Sequence, residues 1–106
     1  MPMLPQKLTD EIVLRIVSAM NPLKILLFGS YAYGVPDEES DLDLVIIKDH
    51  VESKSRESVA VWKLLSDIPL AKDILLVSQA EYDFYKYEAG SVFRTIHEKG
   101  IEIYAR

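Results

Sequence analysis

Hydrophobic positions recur along the chain with two different periods, one typical of helices and the other of strands. Near the start, apolar residues follow helical spacing: Leu8, Ile12, Val13, Ile16, Val17 and Met20. With Thr9 as a candidate N-cap, this pattern predicts a first helix that ends near Asn21. The stretch "KSRESVAVWKLLSD", residues 54–67, predicts a second amphipathic helix, whose Trp62 we place in the core.

Short apolar runs predict the strands. Three of them have the length of buried strands and are bounded by turn residues or by polar ends: Leu23–Phe28, Asp41–Lys48 and Lys72–Ser78. A fourth, "IEIYA" at Ile101–Ala105, alternates between apolar and polar residues and is predicted to be an edge strand. The chain should therefore contain a sheet with interior and edge strands.

The last third of the chain carries helix signals between two strands. Ser78 and Glu81 have capping-box spacing, and Ser91 can begin another helix that ends at Gly100. Aromatic residues crowd the intervening "EYDFYKYEAGSVF", and we predict that most are partly buried against the sheet, with a partner surface as the alternative. The whole order predicts an α/β fold, a small mixed sheet covered by helices, as a single domain over residues 1–106.

Composition limits the possible partners. The 106 residues are 49% hydrophobic, have a net charge of -5 and include no cysteine. No basic stripe is present, so nucleic acid is not an expected partner. No apolar run approaches the roughly 20 residues of a membrane span, and "MPMLPQKLTDE" does not resemble a secretory leader. We therefore expect a soluble, cytoplasmic protein without disulfides or thiolate metal sites.

Carboxylates mark one end of two predicted strands. Asp41 and Asp43 are two residues apart, which places both side chains on one face of a strand. Asp73 begins a later apolar strand and would complete a triad if the two strands are neighbours. Clustered carboxylates repel one another unless a hard cation lies between them, and Mg²⁺ prefers such oxygen ligands together with substrate phosphates. The sequence predicts a metal site at Asp41, Asp43 and Asp73.

A glycine-serine turn precedes the paired carboxylates. Gly29 follows an apolar strand, where the absence of a side chain lets the backbone pass close to a ligand. The N–H groups that open the next turn, with the Ser30 hydroxyl, can donate to an anion. Gly29 and Ser30 are thus candidates for binding a triphosphate whose charge is neutralised by metal.

Gly29-Ser30, ten intervening residues and Asp41-Leu42-Asp43 together resemble the signature of the minimal nucleotidyltransferase family, within the DNA polymerase beta-like nucleotidyltransferase superfamily. The resemblance covers nearly the whole chain. It implies a compact nucleotidyltransferase fold that uses ATP and two Mg²⁺ ions. The residues matching Asp41 and Asp43 would bind both ions, Asp73 would bind the catalytic ion and assist deprotonation of the acceptor hydroxyl, and Gly29 and Ser30 would hold the triphosphate.

The resemblance also implies a partner. Small members of this family are often encoded beside a HEPN-domain toxin, act as its antitoxin, and in some cases transfer AMP to a tyrosine of the toxin. This chain departs from the common motif at Tyr31 and Tyr33, where many relatives carry arginines. Lys24, Lys48 and Lys72 lie near strand ends and could supply charge, and the sequence does not select among them.

Three functions are compatible with these features. The first is a Mg²⁺-dependent transfer of AMP from ATP to a hydroxyl of a partner protein. The second is a catalytically weak or inactive binding module that neutralises a partner by contact. The third, transfer to nucleic acid or a small molecule, is disfavoured by the acidic balance and by the absence of a separate substrate domain.

Overall fold

The computed structural model describes residues 4–37 and 39–106, which form helices on both faces of one sheet. The helices are α1 (Gln6–Met20), α2 (Ser30–Tyr33), α3 (Lys54–Leu64), α4 (Gln79–Tyr85) and α5 (Val92–Lys99). The strands are β1 (Lys24–Phe28), β2 (Leu42–Lys48), β3 (Lys72–Ser78) and β4 (Ile101–Ala105). The predicted mixed α/β architecture is confirmed.

The four strands lie in the order β3-β2-β1-β4. β1 pairs antiparallel with both β2 and β4, whereas β2 and β3 are parallel and are joined through α3. Parallel neighbours need such a crossover, because the chain must return to the same end of the sheet. The prediction that β4 is an edge strand is confirmed, and β3 forms the opposite edge.

Alternation along β2 separates two cores. Leu42 and Leu44 face α1 and α3, and they pack with Ile12, Ile16, Val61 and Leu65. Val45 and Ile47 point to the other face, where α4 and α5 contribute Tyr82 and Ile96. Since both faces of β2 are covered, its sequence is almost continuously apolar. The polar exceptions lie near its two ends: Asp43, on the face of Val45, near the start and Lys48 at the end.

Serine side chains cap the start of three helices: Ser53 for α3, Ser78 for α4 and Ser91 for α5. The Ser78 hydroxyl accepts a hydrogen bond from the Glu81 N–H at 3.1 Å, and Ser91 caps α5, as the sequence predicts. The prediction for α1 is wrong in its start, because the helix begins at Gln6 after Pro5. Thr9 lies inside the helix, and its hydroxyl donates to the Pro5 carbonyl at 3.2 Å. α1 has no side-chain N-cap that the sequence could reveal.

Several aromatic side chains are more exposed than predicted. Trp62 is 43% exposed on α3, so its placement in the core is wrong. Tyr82 is buried, whereas Phe84 and Tyr87 are 74% and 70% exposed, which contradicts the prediction for most of this segment.

Of the helices in the described parts of the chain, none is both long enough and apolar enough to cross a bilayer.

Candidate active site

Two of the predicted site carboxylates lie side by side on neighbouring strands. β2 and β3 run parallel with Asp43 opposite Asp73, so their side chains emerge on the same face as Val45. Asp41 lies one residue before β2 and is exposed, as is Asp73, whereas Asp43 is partly buried. The predicted adjacency of the two strands is confirmed, and it brings carboxylates from distant parts of the sequence to one end of the sheet.

The glycine-serine turn lies directly against Asp43. Phe28, the last residue of β1, pairs with Asp43, and Gly29 follows with φ 73° and ψ -155°, a conformation open almost only to glycine. A Cβ atom at Gly29 would lie 2.0 Å from the Asp43 Oδ2. The Gly29 carbonyl accepts from the N–H groups of Ala32 and Tyr33, both at 3.0 Å, which folds the turn into the short helix α2. The sequence predicts the turn but not this helix.

The turn exposes the donors expected of an anion site. Ser30 begins α2, and the first N–H groups of a helix have no partner within the helix. Ser30 is partly exposed, so its hydroxyl and the adjacent backbone are accessible to a ligand. The structure therefore places Gly29 and Ser30 beside Asp43, on the opposite side of that carboxylate from Asp73.

The carboxylates influence one another electrostatically. Burial, followed by the charges of Asp73 and Asp41, raises the pKa of Asp43 from 3.8 to about 6. No described basic side chain forms an ion pair with these three aspartates. The site therefore concentrates negative charge without compensation from the protein, which is the condition under which a cation is bound favourably.

The donor set fits a divalent cation in its chemistry. Aspartate oxygens are the hard ligands that Mg²⁺ prefers. Within residues 4–37 and 39–106, no three His, Cys, Asp or Glu side chains converge closely enough to hold a metal ion as they stand. Asp41 and Asp73 are exposed, so rotation of their side chains toward Asp43 meets no packed core.

The substitution Asp43→Asn should make the metal-free protein more stable than the unaltered protein at neutral pH. Because the pKa of Asp43 is higher in the folded protein than its ordinary value, ionised Asp43 destabilises the fold at pH above about 6, and this cost disappears as the pH falls toward 3.8. Water screens the partly exposed carboxyl, so we expect Asp43→Asn to gain about 1 kcal/mol in unfolding free energy. Denaturant unfolding in EDTA at pH 7.5 and at pH 4 measures the difference.

The matched control is Asp49→Asn, which removes an exposed carboxylate beyond the other end of β2. It should change stability little at either pH. An Asp43→Asn variant that is no more stable than the unaltered protein at pH 7.5, or that is equally more stable at both pH values, would contradict the electrostatic account.

Gly29→Ala should disable the site by steric and conformational strain. The new methyl group would collide with the Asp43 carboxylate, and the positive φ would strain any L-residue. For the nucleotide transfer that the resemblance implies, we expect a loss of about 10²-fold or more, since misplacing a reacting group by about 1 Å can cost that much. Gly90→Ala is the matched control, because Gly90 has φ 82° and a Cβ there would have no atom within 4 Å. It should lose stability but keep activity; equal transfer rates in the two variants would refute the prediction.

The lysines near strand ends are engaged elsewhere. Lys72 donates to the carbonyls of Ile68 and Leu70, at 2.8 and 2.9 Å. Lys48 forms an ion pair with Glu57, and Lys24 lies 3.7 Å from Glu102, at the end of β1 that is remote from Gly29. None of the three lysines forms an ion pair with Asp41, Asp43 or Asp73. A fourth lysine, Lys99, lies over the ring of Tyr33, and nothing in its position along the sequence predicts this contact.

The nucleotidyltransferase domain family matches residues 10–105 of this chain. The chain therefore belongs to that family, which confirms the class of enzyme expected from the glycine-serine turn and the paired aspartates. Over 54 residues it is also 41% identical to MJ0141 of Methanocaldococcus jannaschii, which is named as a protein adenylyltransferase. That alignment covers 50% of this chain and 52% of the relative, so the chain spans about half the length of the curated relative it matches.

Solved structures share the fold. A crystal structure from Sulfolobus solfataricus, named as a nucleotidyltransferase, superposes with a TM-score of 0.66 at 21% identity, covering 94% of this chain and 79% of that one. A toxin-antitoxin structure with AMP-PNP gives a TM-score of 0.68 at 18% identity, covering 92% and 73%. The toxin-antitoxin MntA-HpeT gives 0.66 at 16% identity with the same coverage. At these identities the likeness shows the fold alone.

Proposed function

We propose that this nucleotidyltransferase transfers AMP from ATP to a hydroxyl group of a partner protein. The observation that carries the proposal is the position of Asp43, which lies between Asp73 on one neighbouring strand and the Gly29 backbone on the other. A carboxylate pair beside an anion-binding turn suits a substrate with both a triphosphate and a reacting hydroxyl.

The residues divide the work of an in-line displacement. Gly29 and Ser30 bind the triphosphate and hold the α-phosphorus toward Asp43. The acceptor oxygen attacks that phosphorus, the bond to the bridging oxygen of the leaving group breaks, and pyrophosphate departs. Asp73 assists removal of the hydroxyl proton, since an exposed carboxylate opposite Asp43 can lie within hydrogen-bond reach of the acceptor.

The carboxylates would hold two Mg²⁺ ions. Asp41 and Asp43 would bind both ions, and Asp73 would bind one of them. When bound, the metal neutralises the carboxylates and the triphosphate and stabilises the charge that develops at the reacting phosphorus. The raised pKa of Asp43 supports this assignment, because a site built for a cation is electrostatically strained without one.

A HEPN-domain toxin is the proposed acceptor, with this chain as its antitoxin. Two observations support this choice: the curated relative is named for protein adenylyltransferase activity, and two of the solved structures with this fold are toxin-antitoxin structures. A tyrosine hydroxyl of the toxin would be the modified group.

Labelled ATP tests the proposal directly. The chain is incubated with α-³²P-ATP, Mg²⁺ and the product of the adjacent gene, which this proposal expects to be a HEPN protein, and the products are separated by electrophoresis. We expect label on the HEPN protein, with release of pyrophosphate. Intact-mass analysis should show the addition of one AMP. Absence of label under conditions in which both proteins are folded and ATP is bound would refute protein adenylylation.

A second function, neutralisation by contact, is favoured by the exposed aromatic side chains of Phe84 and Tyr87. Large exposed aromatic groups are typical of protein interaction surfaces. An Asp41→Asn/Asp43→Asn double variant separates the two functions in cells that express the toxin. Loss of protection by the folded variant supports catalysis, whereas full protection supports contact alone.

A further inference from the structure

The end of α5 lies beside the glycine-serine turn. Leu27 of β1 pairs with Ile101 of β4, and the strands are antiparallel. Lys99 comes two residues before Ile101, and Gly29 comes two residues after Leu27, so the two positions lie alongside each other at the same end of the pair. A Cβ at Gly100 would lie 3.1 Å from the Leu27 carbonyl, which shows how closely the end of α5 approaches β1.

Lys99 is directed toward α2. Its Nζ lies 5.9 Å from the centroid of the Tyr33 ring, within the range of a cation–π interaction. Tyr33 follows Ser30 by three residues, so the two share one face of the short helix. In the described parts of the chain, Lys99 forms no ion pair with a carboxylate. Its charge is therefore available to a ligand.

A triphosphate bound at this turn would be stabilised by a cation of the protein, because two Mg²⁺ ions must also neutralise three aspartates and leave part of the triphosphate charge uncompensated. α2 itself contains only Ser30, Tyr31, Ala32 and Tyr33, none of which is a lysine or an arginine. The lysines of the other strand ends are bound to carbonyls or carboxylates away from the turn. Lys99 can thus supply the positive charge that α2 lacks. A lysine binds phosphate as a mobile point charge.

We propose that Lys99 binds the triphosphate of ATP and that the face of the Tyr33 ring positions its ammonium group. The assignment rests on the proposed use of ATP by this site. Tyr33 acts through Lys99 and is a positioning residue, because its ring holds the cation near Ser30 without touching phosphate. The recognition is of the phosphate chain, so the nucleoside should contribute little to the effect of Lys99.

Nucleotide binding measured by calorimetry tests both residues. With Mg²⁺ present, Lys99→Met and Lys99→Gln should each raise the Kd for ATP about tenfold, since a charged hydrogen bond is removed, while the Kd for adenosine stays within about twofold. Lys99→Arg should remain close to the unaltered protein. Tyr33→Ala should raise the Kd for ATP about threefold, and Tyr33→Phe, which keeps the ring face, should have little effect.

Arg94→Met is the matched control, because it removes the same charge from the same helix while Arg94 lies 3.8 Å from Glu98. It should leave ATP binding unchanged. Unchanged ATP affinity in both Lys99→Met and Lys99→Gln, or equal loss of ATP and adenosine binding, would overturn the role of Lys99 while leaving the proposed transfer intact. Failure of the unaltered protein to bind ATP at all would overturn both.

Discussion

Replacing Asp43 with Asn is expected to lower the rate of the proposed AMP transfer by about 10³-fold, because the variant removes the carboxylate at the centre of the site. Asp43 lies against the Gly29 turn, pairs with Asp73 on the neighbouring strand and interacts electrostatically with Asp41, so it is the carboxylate that all parts of the site share. The initial rate of label transfer from α-³²P-ATP, at saturating ATP and Mg²⁺, measures the loss.

The same variant separates catalytic damage from unfolding. Asp43→Asn should be more stable than the unaltered protein without metal at neutral pH, so a loss of activity cannot be assigned to a weaker fold. Asp49→Asn serves again as the control and should transfer AMP at the normal rate. Activity of Asp43→Asn within tenfold of the unaltered protein would exclude Asp43 from the chemistry.

Replacing Asp73 with Asn should lower kcat by about 10²-fold or more while the Kd for ATP changes by less than about threefold, as is typical when a proton acceptor is lost. Asp73 lies on β3, separated from the Gly29 turn by Asp43, so its removal leaves the triphosphate donors in place. Steady-state kinetics give kcat, and calorimetry with a non-hydrolysable ATP analogue gives the Kd.

The pattern across the two measurements is decisive for Asp73. An equal loss of ATP affinity and turnover would indicate that Asp73 holds the nucleotide and does not assist the acceptor. Turnover equal to that of the unaltered protein would remove Asp73 from the site.

The two inner strands, β1 and β2, could be predicted because both of their faces are buried. Continuous apolar runs such as that of β2 occur where helices cover both faces, and the sequence reveals them without any knowledge of tertiary structure. The caps of α4 and α5 could be predicted for a different reason. In each of them the serine hydroxyl accepts from a backbone N–H that lies no more than three residues away. Interactions between residues close in sequence can therefore be predicted from the sequence.

Features that depend on long-range contacts or on very short segments were missed. α2 has four residues, too few to show a period, and α1 begins after Pro5 without a side-chain cap. Trp62 was placed in the core because its neighbours follow helical spacing, yet its ring lies partly in solvent. Hydrophobic character alone does not distinguish a core side chain from an exposed one.

In the site, too, the sequence predicts the residues that lie close together along the chain and misses contacts between distant segments. Asp41, Asp43, Gly29 and Ser30 lie within fifteen residues of one another, and their spacing on a strand and turn suggested a common location. Asp73 required the two strands to be neighbours, which sequence could propose but not establish. The sequence does not point to Lys99, because its approach to Tyr33 follows from the pairing of β1 with β4, which lie far apart along the chain.

The edge position of β3 has a consequence for how activity would be lost under mild denaturation. β2 is hydrogen-bonded on both sides, whereas β3 has a partner on one side only. Edge elements open by local fluctuation at lower free energy than the interior of a sheet. Fraying at the start of β3 would carry Asp73 away from Asp43 while the rest of the sheet stays intact, so the enzyme can become inactive well before its helices melt.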